Sequence, residues 1–259
     1  IESDAFPSDR YAVQSQLSFH GFDPEEALIE WKPKEGKELL ELEDLKSILD
    51  SQGDEVALLL IGGVNYYTGQ YLDIKKIAEL GHAKKCMVGI DLAHGAGNIQ
   101  PNLHDSSIDF AAWCTYKYLN SGPGSLSGLF VHEKHAQRKD LPRFAGWWNH
   151  NKETRFNMRQ PFDVMSGAEG WQLSNPPILS MAAIKASLDI FEKVGMDALL
   201  KKSKKLTGFF EYLINEIASD TIKIITPTNP NERGCQLSLQ VKNADKNLHK
   251  KLTENNIIT

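Results

Sequence analysis

With 259 residues, 41% of them hydrophobic, the chain can bury a sizeable core, enough for one large domain and a smaller one. A net charge of -5 and a pI near 5.9 exclude the basic footprint that nucleic-acid binding needs, and no apolar run approaches the roughly 18 residues of a membrane span. Cys86, Cys114 and Cys235 are widely spaced in apolar segments, which suits small buried side chains rather than disulfides or a metal site; with no signal-type leader, the cytoplasm is the expected compartment.

In chain order, "DAFPSD" sets Phe6, Pro7, Ser8 and Asp9 around a proline turn. "LEDLKSILDSQG", residues 42–53, carries apolar residues at helical spacing and ends on a glycine suited to a C-cap. Short apolar runs follow at 56–61, 86–91, 109–116 and 128–132, with the helical "DIKKIAELGHAKK" from Asp73 between the first two. Runs without polar alternation read as strands covered on both faces, so an α/β domain with a mostly parallel sheet and flanking helices is expected. "PPILSMAAIKASLDIFEKVG" and "MDALLKKSKKLTGFFEYLINEIA" then keep the 3.6-residue period as a long helical connector. "TIKIIT" and "CQLSLQV" alternate apolar and polar residues like strands of an open-faced sheet. The expected division is a large domain over 1–179, lacking its N-terminal part, and connector helices with the start of a smaller C-terminal α+β domain over 180–259. The start at Ile1 without methionine and the apolar end "ENNIIT" read as a segment of a longer chain.

In open parallel sheets ligands collect at the carboxyl ends of strands. Three such ends carry chemistry: Gly62 in "GGVNYYTGQ", Asp91 followed by His94 in "DLAHGAGN", and Tyr116–Lys117 before the glycine loop "NSGPGSLSG". A lysine in partly desolvated surroundings yields the free amine that forms a Schiff base, and the glycines leave room for a bulky anionic ligand. Read alone, Lys117 is a solvated strand-end lysine and Asp91 a helix N-cap. Together, a carboxylate and a lysine on neighbouring strands suit pyridoxal 5'-phosphate (PLP), whose ring nitrogen must stay protonated to draw off electrons. The ordered set of strand, Asp-x-x-His, strand, Lys and glycine loop points to PLP enzymes of the aspartate-aminotransferase-like fold.

The strings "FPSD", "YTGQ", "DLAHGAGN", "WCTYKYLNSGPG", "VHEKH", "GWW", "TRFNM" and "SNPP", in this order from Phe6 to about Cys235, resemble the kynureninase family. That resemblance implies hydrolysis of L-kynurenine or 3-hydroxy-L-kynurenine, without separating the two, to anthranilate or its hydroxy analogue and L-alanine, in tryptophan catabolism leading toward NAD. It implies PLP as cofactor and a cytoplasmic homodimer with shared active sites. By position, Lys117 is the Schiff-base lysine and the base at the substrate's α carbon, and Asp91 the partner of the ring nitrogen. Phe6 packs on the ring, Asp9 is a second carboxylate near it, and Pro7, Ser8 and His94 lie beside it. Tyr116 reaches the phosphate and is a candidate proton donor. Trp147 and Asn175 resemble residues lent to the phosphate region by the neighbouring subunit; read alone, they are core and a helix cap.

Gly62 stands where family members often place a serine, so one hydrogen bond is lost or supplied by backbone. The resemblance sets the main phosphate-binding turn before Ile1 and the substrate-carboxylate arginine after Thr259; Arg143, Arg155 and Arg159 match no such role. Two rivals remain: another PLP lyase such as a cysteine desulfurase, which needs a mobile loop cysteine after the lysine, and a piece that cannot retain PLP.

Overall fold

The computed structural model describes residues 1–158 and 161–258. Proline at a first helical position carries a preset φ and no N–H to satisfy, and Pro7 opens a full helix, α1 (Pro7–Phe19), where the sequence suggests only a turn. A short α2 (Pro24–Ala27) follows, capped by the Asp23 side chain. Helix α3 (Leu42–Gln52) forms over the expected span, buries Leu45 and Leu49, and has Gly53 at its C-cap.

Four short strands make the main sheet: β1 (Leu58–Gly62), β2 (Met87–Asp91), β3 (Phe110–Cys114) and β4 (Ser127–Val131), in the order β1-β2-β3-β4. Strands β1, β2 and β3 are parallel, with Gly62 beside Asp91 and Asp91 beside Ala112. Strand β4 returns antiparallel to β3, so the sheet is mostly parallel, as its unalternated runs imply. Helix α4 (Ile74–Ala83), capped by Asp73 accepting from the Lys76 amide at 3.1 Å, crosses between β1 and β2. It buries Ile74, Ile77 and Ala78 against the sheet. At Gly81 the approach is so close that a Cβ would lie 2.8 Å from both Leu59 and Val88. Leu45, Leu49, Leu59, Ile61, Ile77, Val88 and Ile90 belong to one buried cluster, each side chain contributing about 1.5–3 kcal/mol by leaving water.

β3 stops at Cys114, short of the expected Tyr116, because the next residue is claimed by its own loop. The Thr115 hydroxyl donates to the Leu126 carbonyl and accepts from Ser121 Oγ at 2.7 Å, and Ser121 N donates to the Thr115 carbonyl at 3.1 Å. These bonds fold residues 115–126 into a compact loop that holds Lys117 at the sheet's carboxyl edge.

After the sheet come α5 (Ile178–Val194) and α6 (Met196–Ala218), separated by Gly195 at φ 79°. An antiparallel pair follows, β5 (Ile222–Ile224) and β6 (Leu239–Val241), then α7 (Lys246–Glu254). Among the described residues no helix is long and apolar enough to cross a membrane.

At the opposite edge of the sheet, buried Asp109 ties three segments to the foot of β3. One carboxylate oxygen accepts from Lys134 Nζ at 2.7 Å and His135 Nε2 at 2.6 Å, the other from His82 Nε2 at 2.9 Å and the Val88 amide at 2.7 Å. Burial works to raise its pKa, but these donors prevail and hold it well below the usual carboxylate range. Its stabilisation is therefore complete above the unfolded aspartate value of about 3.9 and is lost as pH falls below it. Asp109→Asn should cost roughly 1–3 kcal/mol in urea unfolding at pH 7, with the gap to wild type shrinking toward pH 3; equal stability at pH 7 would show that the clasp is unimportant.

Candidate active site

The parallel register brings three strand ends side by side: Gly62 closes β1, Asp91 closes β2, and Lys117 stands three residues beyond the end of β3. Asp9 arrives from a different direction, on the first turn of α1. Its carboxyl shares a hydrogen bond with that of Asp91. Two carboxyls bonded to each other hold one proton between them, and Asp9 is pushed up to about 7, by burial first, then by the charge of Asp91 and the bond to it, with Lys117 pulling the other way. Asp91 Oδ1 also accepts from the Ala93 amide at 2.7 Å. Capping the next turn and facing Asp9 are thus both roles of this one side chain.

Lys117 Nζ lies 5.3 Å from the centroid of the Phe6 ring, over its face. Phe6 meets Tyr66 edge-on at 5.3 Å, Tyr66 lies 6.4 Å from His94, and His94 meets Tyr118 edge-on at 5.9 Å. The His94 Nδ1 atom is buried without a hydrogen-bond partner. Burial, and then the Lys117 charge, lower its pKa, so the imidazole is neutral at pH 7. The site therefore offers an amine, a carboxyl pair, an aromatic face and an unspent polar atom at one edge of the sheet. A flat, anionic aldehyde with a basic ring nitrogen, such as PLP, suits that donor set.

Gly62 uses its amide rather than a side chain. The N–H donates at 3.0 Å to Glu2 Oε1, and a Cβ on Gly62 would sit 2.8 Å from that oxygen. Tyr116 is half exposed, and the neighbouring Cys114 side chain raises its pKa. Pro7 and Ser8 are exposed on α1.

Trp147 and Asn175 stand apart. Trp147 is 42% exposed and packs edge-on against Phe156, so it is not core. Asn175 is exposed and gives no side-chain cap to α5, which starts at Ile178. Among the described residues no bond or ring contact ties either to Lys117, Asp91 or His94. Arg143 stacks on Trp171 and Arg155 on Trp148, both away from the lysine, and Arg159 lies outside the described residues.

Sequence reasoning missed Glu2, Tyr118 and a joint from the far end of the chain. Cys235, expected to be buried, is exposed, and its side chain neighbours Tyr118, whose pKa is pushed up to about 12 by burial first and then by Cys235. Asn98 Oδ1 accepts from the Cys235 amide at 2.9 Å while its Nδ2 donates to the His94 carbonyl at 2.9 Å. A Cβ on Gly234 would lie 2.3 Å from Asn98 Nδ2, so glycine is what permits this approach. Gln236 Nε2 donates to the Tyr66 carbonyl at 2.9 Å. The only trace in the sequence is a glycine and a cysteine after a polar loop, with no pattern that names their partners.

A model of the aminotransferase class-V family matches residues 23–259. A kynureninase from Myxococcus xanthus is 53% identical over 258 residues, covering 100% of this chain and 61% of that protein. The chain thus spans less than two thirds of that relative's length. Among solved structures, a C-DES mutant with glycine covalently linked to its PLP cofactor superposes with a TM-score of 0.79 at 16% identity, over 99% of this chain and 64% of that one. The apo cysteine desulfurase of Thermococcus onnurineus gives 0.71 at 16% identity, over 97% and 58%. At that identity the likeness is one of fold.

Asp9 should titrate near pH 7 by carboxyl-resolved NMR, and Asp91→Asn should lower its midpoint by about one unit; an unmoved midpoint would break the pair. The sign for stability follows: with a folded pKa above the unfolded value, Asp9 favours the fold at acid pH and withdraws that support as pH rises toward 7. Asp9→Asn should flatten this slope in thermal unfolding.

Proposed function

Because the chain belongs to the aminotransferase class-V family, we propose that its strand-end cluster is a PLP site and that the protein hydrolyses L-kynurenine or its 3-hydroxy analogue to the corresponding anthranilate and L-alanine. The observation that carries this reading is the convergence of Lys117, Asp91, Asp9 and His94 on one site in a chain 53% identical to a kynureninase. The desulfurase alternative is not favoured, because that likeness is of fold alone.

Bound there, PLP would supply an electron sink for charge developing at the substrate's α carbon. Lys117 Nζ would hold the aldehyde at rest and, once displaced by the substrate amine, take the proton from the α carbon and return it where needed. Asp91 would keep a proton on the ring nitrogen, with Asp9 as the reservoir behind it. Phe6 would lie against one face of the ring, with Pro7 and Ser8 beside it, and the free Nδ1 of neutral His94 would meet a polar group of the ligand. Gly62 would serve through its backbone, its amide seating the Glu2 carboxyl at the strand end beside Asp91. Tyr116, half exposed at the lysine loop, would donate a proton near the phosphate. Water adds to the substrate's γ carbonyl and the β–γ carbon bond breaks, so that kynurenine and one water become one anthranilate and one alanine.

Residues 1–179 would form the cofactor-bearing unit and 180–259 the connector and start of a smaller one. A homodimer would complete the site: Trp147 and Asn175, exposed and untied to this chain's own cluster, are free to face a second copy. Three free thiols suit the reducing cytoplasm.

The test is borohydride reduction of the full-length protein followed by peptide mass spectrometry. The pyridoxyl mass should fall on Lys117, and Lys117→Ala should lose both the tag and kynurenine turnover by at least about a thousandfold. A tag on another amine, or a protein that takes up no PLP, would overturn the assignment.

A further inference from the structure

Glu2 is a buried acid with no assigned work. It is 3% exposed, and its backbone is held beside Trp31 by a parallel bridge. Ser3 N donates to the Trp31 carbonyl at 2.7 Å and Trp31 N to the Ile1 carbonyl at 2.9 Å, so the segment has little freedom to swing outward. Its side chain accepts from the amide of Gly62 at 3.0 Å. Among the described residues no lysine, arginine or histidine forms an ion pair with it.

The bond to Gly62 does not require an acid. A glutamine carbonyl would accept from the same N–H at the same place, without the cost of burying an ionisable group. What glutamate adds over glutamine is a charge, and the structure sets that charge at one address. Gly62 is the β1 partner of Asp91 across the parallel pair, and its missing Cβ leaves room for the Glu2 oxygen at the strand end. The acidic groups facing Glu2 are Asp91 on β2 and, behind it, Asp9 on α1; the cation facing it is the amine of Ile1, while Lys117, on the loop after β3, faces Asp9. Arg10, one turn along α1, is engaged by Glu30.

We infer that Glu2 is a positioning residue for the site: its buried carboxyl, seated on the Gly62 amide one strand from Asp91, keeps a proton on the Asp9–Asp91 pair. Three carboxyls gather at the strand ends near one lysine side chain, and neighbouring acids resist ionising together. Negative charge on Glu2 makes loss of the shared proton harder. Glu2 itself is raised, by burial first, with Asp91 adding to it and its own and the Gly62 amide restraining it, as expected for acids that repel one another. The inference rests on the PLP reading for its use in catalysis, since a proton-rich pair behind the ring nitrogen is what that reading needs. The electrostatic coupling stands without it.

Glu2→Gln in the full-length protein keeps the acceptor and deletes the charge. In the cofactor-free protein, carboxyl-resolved NMR should show the Asp9 midpoint falling by about half a pH unit or more. In the PLP-loaded protein, the pH profile of the cofactor's absorbance should move the same way. Gly62→Ala, whose added carbon displaces the Glu2 oxygen while leaving the acid in the chain, should lower the Asp9 midpoint independently and guards against a Glu2→Gln protein that does not fold. Superimposable Asp9 titrations in wild type and whichever variant folds would overturn the inference, since a merely structural glutamate would change stability and leave that midpoint alone. Failure to label Lys117 with PLP would instead strike the proposed function and leave this titration to be judged alone.

Discussion

The in-register parallel pairing of β1, β2 and β3, with Gly62 beside Asp91 and Asp91 beside Ala112, sets the spacing on which the rest of the site depends. Neighbouring strands lie about 4.8 Å apart, so a glycine, a carboxylate and the lysine loop reach the same edge within the span of one small ring system. A slip of one residue would turn Asp91 to the other face of the sheet. The core residues Ile61, Val88 and Ile90, together with the Asp109 clasp at the other edge, therefore hold the chemistry in place without touching it.

The site is acid-rich around a single lysine. Asp9, Asp91 and Glu2 come from a helix, a strand and an extended segment respectively, and burial together with the charge of Asp91 raises both Asp9 and Glu2. Asp109 shows the contrasting solution in the same fold: more deeply buried than Asp9 or Asp91, it is surrounded by Lys134, His135, His82 and a backbone amide and stays ionised. Whether a buried carboxyl keeps or loses its proton is decided by its donors, and the two edges of this sheet decide it oppositely.

The far end of the chain takes part through backbone and amide contacts rather than reactive groups. Gly234, Cys235 and Gln236 bond to the loops that carry His94 and Tyr66, with Asn98 as the pin between them. The aromatic run from Phe6 through Tyr66 and His94 to Tyr118 is braced from behind by this segment.

Local information in the sequence was enough for the four sheet strands, the helices α3, α4, α5 and α6, and the placing of Asp91 and Lys117 at strand ends, because apolar runs, helical spacing and glycine loops act over a few neighbouring residues. Helix α1 escaped notice because its proline reads equally well as a turn or a first helical position. The Asp9–Asp91 bond, the seat of Glu2 on Gly62 and the exposure of Cys235 beside Tyr118 were decided only by tertiary structure. Such contacts join residues 170 positions apart in the case of Tyr66 and Gln236, and no periodicity along a chain encodes which distant group will fill the space that a glycine leaves open.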